Sequence, residues 1–90
     1  MTSIKLHLHE DDFFHARPAA VTAAAAKRFD SVVMVVLGTE LADGKDAMSL
    51  MRLSHPRGRT VELIADGPDE AAALEAVSAA IRQCFQMAGE

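Results

Sequence analysis

The sequence predicts an α+β domain: one sheet with helices laid on a single face, in the order strand, helix, strand, strand, helix, strand, helix. Three observations carry this. Residues 2–9 and 59–65 alternate apolar and polar side chains, the period of a half-buried strand. Residues 32–37, Val-Val-Met-Val-Val-Leu, form an unbroken apolar run rich in β-branched residues, which reads as a central strand. Two other stretches, from about Ala16 and from about Ala71, have helical propensity or helical spacing. Helices interleaved with mostly antiparallel strands pack as one sheet and one helical layer.

Length and composition set the limits. The chain has 90 residues, the size of one small domain, and no repeat or low-complexity stretch divides it. Half of the residues are hydrophobic, so a core can form, but it is rich in alanine and methionine, with four Phe and no Trp or Tyr. A formal net charge of −4 argues against nucleic acid or an anionic membrane as the main partner. The one cysteine, Cys84, has no partner for an internal disulfide, and no CxxC spacing is present. With no signal-peptide pattern and no 18-residue apolar span, the expectation is a soluble cytoplasmic protein that does not insert into membranes.

In the first strand Ile4, Leu6 and Leu8 share one face, and Lys5, His7 and His9 the other. His7 and His9, with Glu10 nearby, could hold a metal, but such a pair is more often the wet side of a strand, and no metal is expected. Residues 10–12 make a polar turn. A helix over about 16–27 carries Ala20, Val21, Ala24 and Ala25 on one side, small enough to pack closely on a sheet, with Lys27 and Arg28 complementing the dipole at its end. After the central strand, Gly38-Thr39 turns the chain into a short returning strand over 40–42, expected at a sheet edge. A short helix over 46–53 follows, with Asp46 able to cap it. In the next strand Val61 and Leu63 point one way and Thr60, Glu62 and Ile64 the other. Residues 66–70 turn and cap a long helix over 71–87, with Ala73, Leu74, Val77, Ile81, Cys84 and Phe85 as its apolar stripe and Cys84 read as buried.

The chemistry concentrates in Phe14-His15-Ala16-Arg17-Pro18-Ala19-Ala20. Pro18 lacks an N–H and fits only within a first helical turn. A helix starting near Ala16 then aims free N–H groups and the positive end of its dipole at whatever His15 carries. Arg17 adds a forked cation suited to phosphate oxygens. The same field disfavours imidazolium and leaves the ring a free lone pair, as a nucleophile requires. A histidine and an arginine are also tolerated at helix starts with no chemical task, and residue types alone leave both readings open.

His-Ala-Arg-Pro-Ala-Ala near the start of a chain of this length resembles the histidine-containing phosphocarrier (HPr) family of the phosphoenolpyruvate-dependent sugar phosphotransferase system. The resemblance spans nearly the whole chain. It implies an open-faced β-sandwich, βαββαβα, with a four-stranded antiparallel sheet and three helices on one face, as a single phosphocarrier domain over 1–90. It implies phosphorylation of His15 on a ring nitrogen, assistance by Arg17, and phosphate binding by the backbone N–H groups of Ala16 and Arg17. The implied partners are a phosphoenolpyruvate-charged first enzyme and sugar-specific acceptor proteins, with regulatory proteins as further candidates and no cofactor needed. Docking would use an apolar patch formed by Phe14, Ala47, Met48 and Met51, methionines suiting a surface that takes several partners in turn.

The chain departs from the family pattern at three places. Phe13 stands where a glycine is usual, so it either strains the loop or offers an exposed contact. Asp46 occupies the position of a serine that is a regulatory phosphorylation site in Gram-positive members; an aspartate cannot be phosphorylated there, and its simpler reading is a helix cap. Ser54 replaces a helix-ending glycine. These departures keep two alternatives in view: a regulatory protein-binding module on the same scaffold, and a carrier in a parallel, nitrogen-linked relay. In each case the protein is a carrier with a phosphohistidine intermediate or a binding module, not a stand-alone enzyme.

Overall fold

The computed structural model describes residues 1–7, 16–53 and 60–84. The elements follow in the order β1 (Thr2–His7), α1 (Ala16–Lys27), β2 (Val32–Leu37), β3 (Glu40–Asp43), α2 (Ala47–Met51), β4 (Thr60–Asp66) and α3 (Glu70–Cys84). Every strand pairing is antiparallel, and the sheet order is β1-β4-β2-β3. This is the open sheet with three helices that the sequence predicts, with β2 inside and β3 at an edge. The expected strand residues Leu8 and His9, the loop residue Phe13, the connector residue Ser54 and the helical residues Phe85 to Met87 lie outside the described residues.

Alternation fixes the two faces. Leu6, Val33, Val35, Leu37, Ala42, Val61, Leu63 and Ala65 turn inward and are buried against the helices. From the helical layer come Ala19, Ala23 and Ala26 of α1, Leu50 of α2, and Ala73, Leu74, Val77 and Ile81 of α3. Alanines dominate the α1 contribution, which lets the helix sit close to its neighbours.

α1 is rotated relative to the expected face. Pro18, Ala19, Thr22, Ala23 and Ala26 are buried; Ala20 and Ala24 are exposed; Val21 and Ala25 are half-buried. In a run of alanines both sides of a helix are equally apolar, so periodicity cannot choose between them, and packing against α3 and α2 decides. Cys84, expected to be buried, is half-buried at the end of α3.

α2 is shorter than the 46–53 stretch. Asp46 stands outside it as N-cap, in extended backbone, and accepts the Met48 N–H at 3.0 Å; Arg52 is the C-cap. Gly44, at the β3–α2 turn, donates to the Val33 carbonyl at 2.7 Å. A Cβ there would come within 2.6 Å of Val33 Cγ1, so only glycine allows the approach. Lys45 Nζ ties the same turn to the end of α1 through the Phe29 carbonyl, 2.8 Å away.

α3 is locked at its start. The Asp69 carboxylate accepts from the backbone N–H of Asp30 and of Ser31 and from the Ser31 hydroxyl, while Ser31 Oγ accepts the Asp69 N–H. Glu70 Oε1 accepts the Gly67 N–H at 3.1 Å. Gly67 lies at φ 151, with Ser31 Cα only 2.7 Å from where a Cβ would stand. The chain between α1 and β2 is thereby pinned to the helix that follows β4.

Candidate functional site

At the start of α1 the backbone has donors to offer. Pro18, in the first turn, has no N–H to leave unpaired, so the orphan donors are those of Ala16, Arg17 and Ala19. The first turn holds no acidic residue and the last holds Lys27, so no carboxylate of its own turn offsets the positive end of the helix. Ala16 and Arg17 are exposed, whereas Pro18 and Ala19 are buried and hold the turn in place. An anion arriving here meets N–H groups along the helix axis and a guanidinium beside them. Two predicted residues of the motif, Phe14 and His15, lie outside the described residues.

The end of α3 completes the surroundings. Arg17 and Pro18 line a cleft of about 250 Å³ together with Gln83 and Cys84. Gln83 carries no local signal that would place it beside Arg17. Only the packing of α1 along α3 brings the two together.

α2 packs beside α1 and presents the predicted apolar pair. Met48 is 65% and Met51 47% exposed, whereas Leu50 is fully buried and Leu53 packs on the core. Ala47 is half-buried. The three-residue spacing thus separates as the sequence suggests, Leu50 anchoring the helix and the two methionines facing solvent. Ser49, between them, accepts the Asp43 N–H on its hydroxyl at 3.0 Å, which covers one end of the β3 edge.

His7 sits on the sheet face away from the helices, its Nδ1 3.0 Å from Thr60 Oγ1 on the neighbouring strand. His9 and Glu10, the other members of the weighed metal set, lie outside the described residues. Among the described residues no three His, Cys, Asp or Glu side chains converge, and no helix is long and apolar enough to cross a membrane.

Comparison with known proteins agrees with this architecture. A family described as the PTS HPr component phosphorylation site matches residues 3–83. The phosphocarrier protein HPr of Treponema pallidum is 42% identical over 72 residues, covering 80% of this chain and 82% of that protein. The phosphocarrier protein NPr of Shewanella violacea is 34% identical over 74 residues, 82% of this chain and 81% of that protein. A crystal structure of HPr from Thermoanaerobacter tengcongensis superposes with a TM-score of 0.83 at 30% identity, covering 94% of this chain and 96% of the other. With the sheet order, the helix start and a match running almost end to end, the chain belongs to the HPr phosphocarrier family of the phosphotransferase system.

Proposed function

We propose that the chain is a phosphocarrier that takes a phosphoryl group on His15 from a phosphoenolpyruvate-charged first enzyme and passes it to a sugar-specific component. The observation that carries this is the junction of His15 with α1 in the sequence, where Arg17 is exposed in a first helical turn that holds no acidic residue. A ring nitrogen of His15 forms the new P–N bond as the donor's bond to phosphorus breaks. The onward step reverses the roles, and the acceptor becomes the nucleophile. The three phosphoryl oxygens carry the charge through both steps, and the N–H groups of Ala16 and Arg17 with the guanidinium balance it. Positioning and electrostatics suffice, so the chain needs no cofactor of its own.

Partners would dock on Phe14, Ala47, Met48 and Met51, an apolar surface able to repack against successive proteins. Asp46 acts as the cap of α2, and serine-type phosphorylation at that position is ruled out by its chemistry. In this reading one domain over 1–90 works in the cytoplasm.

The test is intact mass after incubation with phosphoenolpyruvate and a general first enzyme. One acid-labile phosphoryl group is expected on the native chain and none on His15→Ala; acceptance retained at His7, His9 or His55 overturns the assignment. Arg17→Ala is expected to slow transfer far more than Arg57→Ala, and equal losses would refute a special place for Arg17.

A second reading is favoured by the 34% identity to an NPr: a carrier in a parallel, nitrogen-linked relay. Competition between sugar-specific and nitrogen-linked acceptors for the phosphorylated chain separates the two. A regulatory binding module on the same scaffold gains first place only if no donor loads His15.

A further inference from the structure

Arg17 brings its guanidinium to the start of α1 on a long stem, whose rotamer freedom must be lost before the fork can be aimed. Its own helical turn offers it no carboxylate, and among the described residues the side chain makes no hydrogen bond or ion pair. An incoming anion would then have to order the fork by itself, and that cost is subtracted from every interaction the fork makes.

The end of α3 offers what α1 lacks. The cleft of about 250 Å³ that Arg17 lines is shared with Pro18, Gln83 and Cys84. The ring of Pro18 has nothing to accept with, and a thiol is a weak acceptor. The side-chain carbonyl of Gln83 is a strong one, with two lone pairs. Gln83 also lines the groove that runs between α1 and α3 past Val21 and Ala80, which places it on the side of α3 that faces α1. Its amide makes no hydrogen bond among the described residues and is available to a new partner. Being neutral, it can take one N–H of the fork without cancelling the charge, leaving the rest for phosphoryl oxygens.

We propose that Gln83 is a positioning residue for phosphoryl transfer: its side-chain carbonyl accepts from the Arg17 guanidinium as the phosphoryl group arrives and holds the fork toward it. This rests on the phosphocarrier reading above and adds α3 to the parts of the chain that serve the reaction. Hydrogen bonds of this kind commonly close only as the reacting group binds, and the cleft gives the guanidinium room to make this one. Because Gln83 acts through Arg17, its loss falls on the chemical step and not on docking.

The test is steady-state transfer from a phosphoenolpyruvate-charged first enzyme to four forms of the full chain: native, Gln83→Met, Arg17→Ala and the double variant. Circular dichroism confirms that each is folded. Gln83→Met keeps the length of the stem and removes the amide. It is expected to lower the kcat of the first enzyme for the chain about tenfold, as for one hydrogen bond to a charged group, with KM within about twofold of native. On the Arg17→Ala background the same change is expected to cost less than about twofold, because the group it positions is already gone. A Gln83→Met chain as fast as native overturns the proposal. So does an equal loss with and without Arg17, which marks a structural role, or a rise in KM alone, which assigns Gln83 to the docking surface. A native chain that accepts no phosphoryl group overturns the phosphocarrier reading and this proposal with it; when the native chain is loaded, the other outcomes bear on Gln83 alone.

Discussion

Thr22 carries a hydroxyl into the packed side of α1. It is fully buried on α1, and among the described residues its Oγ1 has no hydrogen-bond partner. A buried polar group left unpaired costs the desolvation of that group, typically 1–3 kcal/mol. Val has nearly the same shape and a similar helix propensity, so little opposes the exchange. Thr22→Val is expected to stabilise the chain by about 1 kcal/mol, read as a higher urea midpoint at unchanged slope. An unchanged or lower midpoint would mean that the hydroxyl has a partner after all. Nothing in the sequence points to this site, because a threonine within an alanine run reads as an exposed residue. Arg17 is the opposite case. Its part in the candidate site was legible, because the histidine, the proline that fits only a first turn and the guanidinium are all near neighbours in sequence. Gln83, lining the same cleft, was not, since only tertiary packing brings it there.

At the scale of elements, α2 is the one whose existence depends most on its ends. Five residues are far too few for a helix stable by itself. Three contacts hold it: Leu50 buried in the core, the Asp46 carboxylate on the Met48 N–H, and the Ser49 hydroxyl on the Asp43 N–H. Asp46→Ala is expected to destabilise the chain by about 1 kcal/mol, whereas Asp46→Ser, which keeps a capping oxygen, is expected to lose only a few tenths. Equal losses in denaturant melts would show that Asp46 acts through its charge and not as a cap. Capping chemistry is local, which is why this element was legible in outline from Asp46 and Leu50. The orientation of α1 was not legible for a related reason: its alanines offer no contrast between faces, so the buried side is chosen by the helices it meets.

At the scale of the whole molecule, the order of elements follows from periodicity, but the sheet order β1-β4-β2-β3 does not, and only the structure supplies it. The contact that closes the structure, Ser31 with Asp69, joins residues 38 apart and leaves no local mark. It has a consequence for pH dependence. Hydrogen bonds from the Ser31 hydroxyl, and next from the Asp30 N–H, hold the Asp69 carboxyl below its ordinary value of 3.8. The Gly67 N–H, and next the N-terminal ammonium, hold Glu70 below its ordinary value of 4.5. The ammonium itself, 3.0 Å from Glu70 and 3.5 Å from Asp66, is raised above 8.0, chiefly by its hydrogen bond to Glu70.

A carboxylate depressed in the folded state binds its proton more readily when the chain unfolds. Its stabilisation is therefore complete above the unfolded value and lost as pH falls through the folded one. The raised ammonium works in reverse: its contribution is complete below 8.0 and lost as pH rises through the folded value. Stability should be level between these limits, falling below 4.5 as the favourable contacts of the Glu70 and Asp69 carboxylates are lost to protonation, and falling again in the alkaline range. Because these groups lie at the surface, water and salt screen the effect, and the acid limb is the better test. Asp69→Asn removes the titrating group while keeping one oxygen for the Ser31 contacts. Melting temperatures of the native chain and this variant, taken from neutral pH down through the acid range, are expected to converge as pH falls. A constant gap at every pH would mean that Asp69 contributes by shape alone, and that the lock between α3 and β2 is not electrostatic.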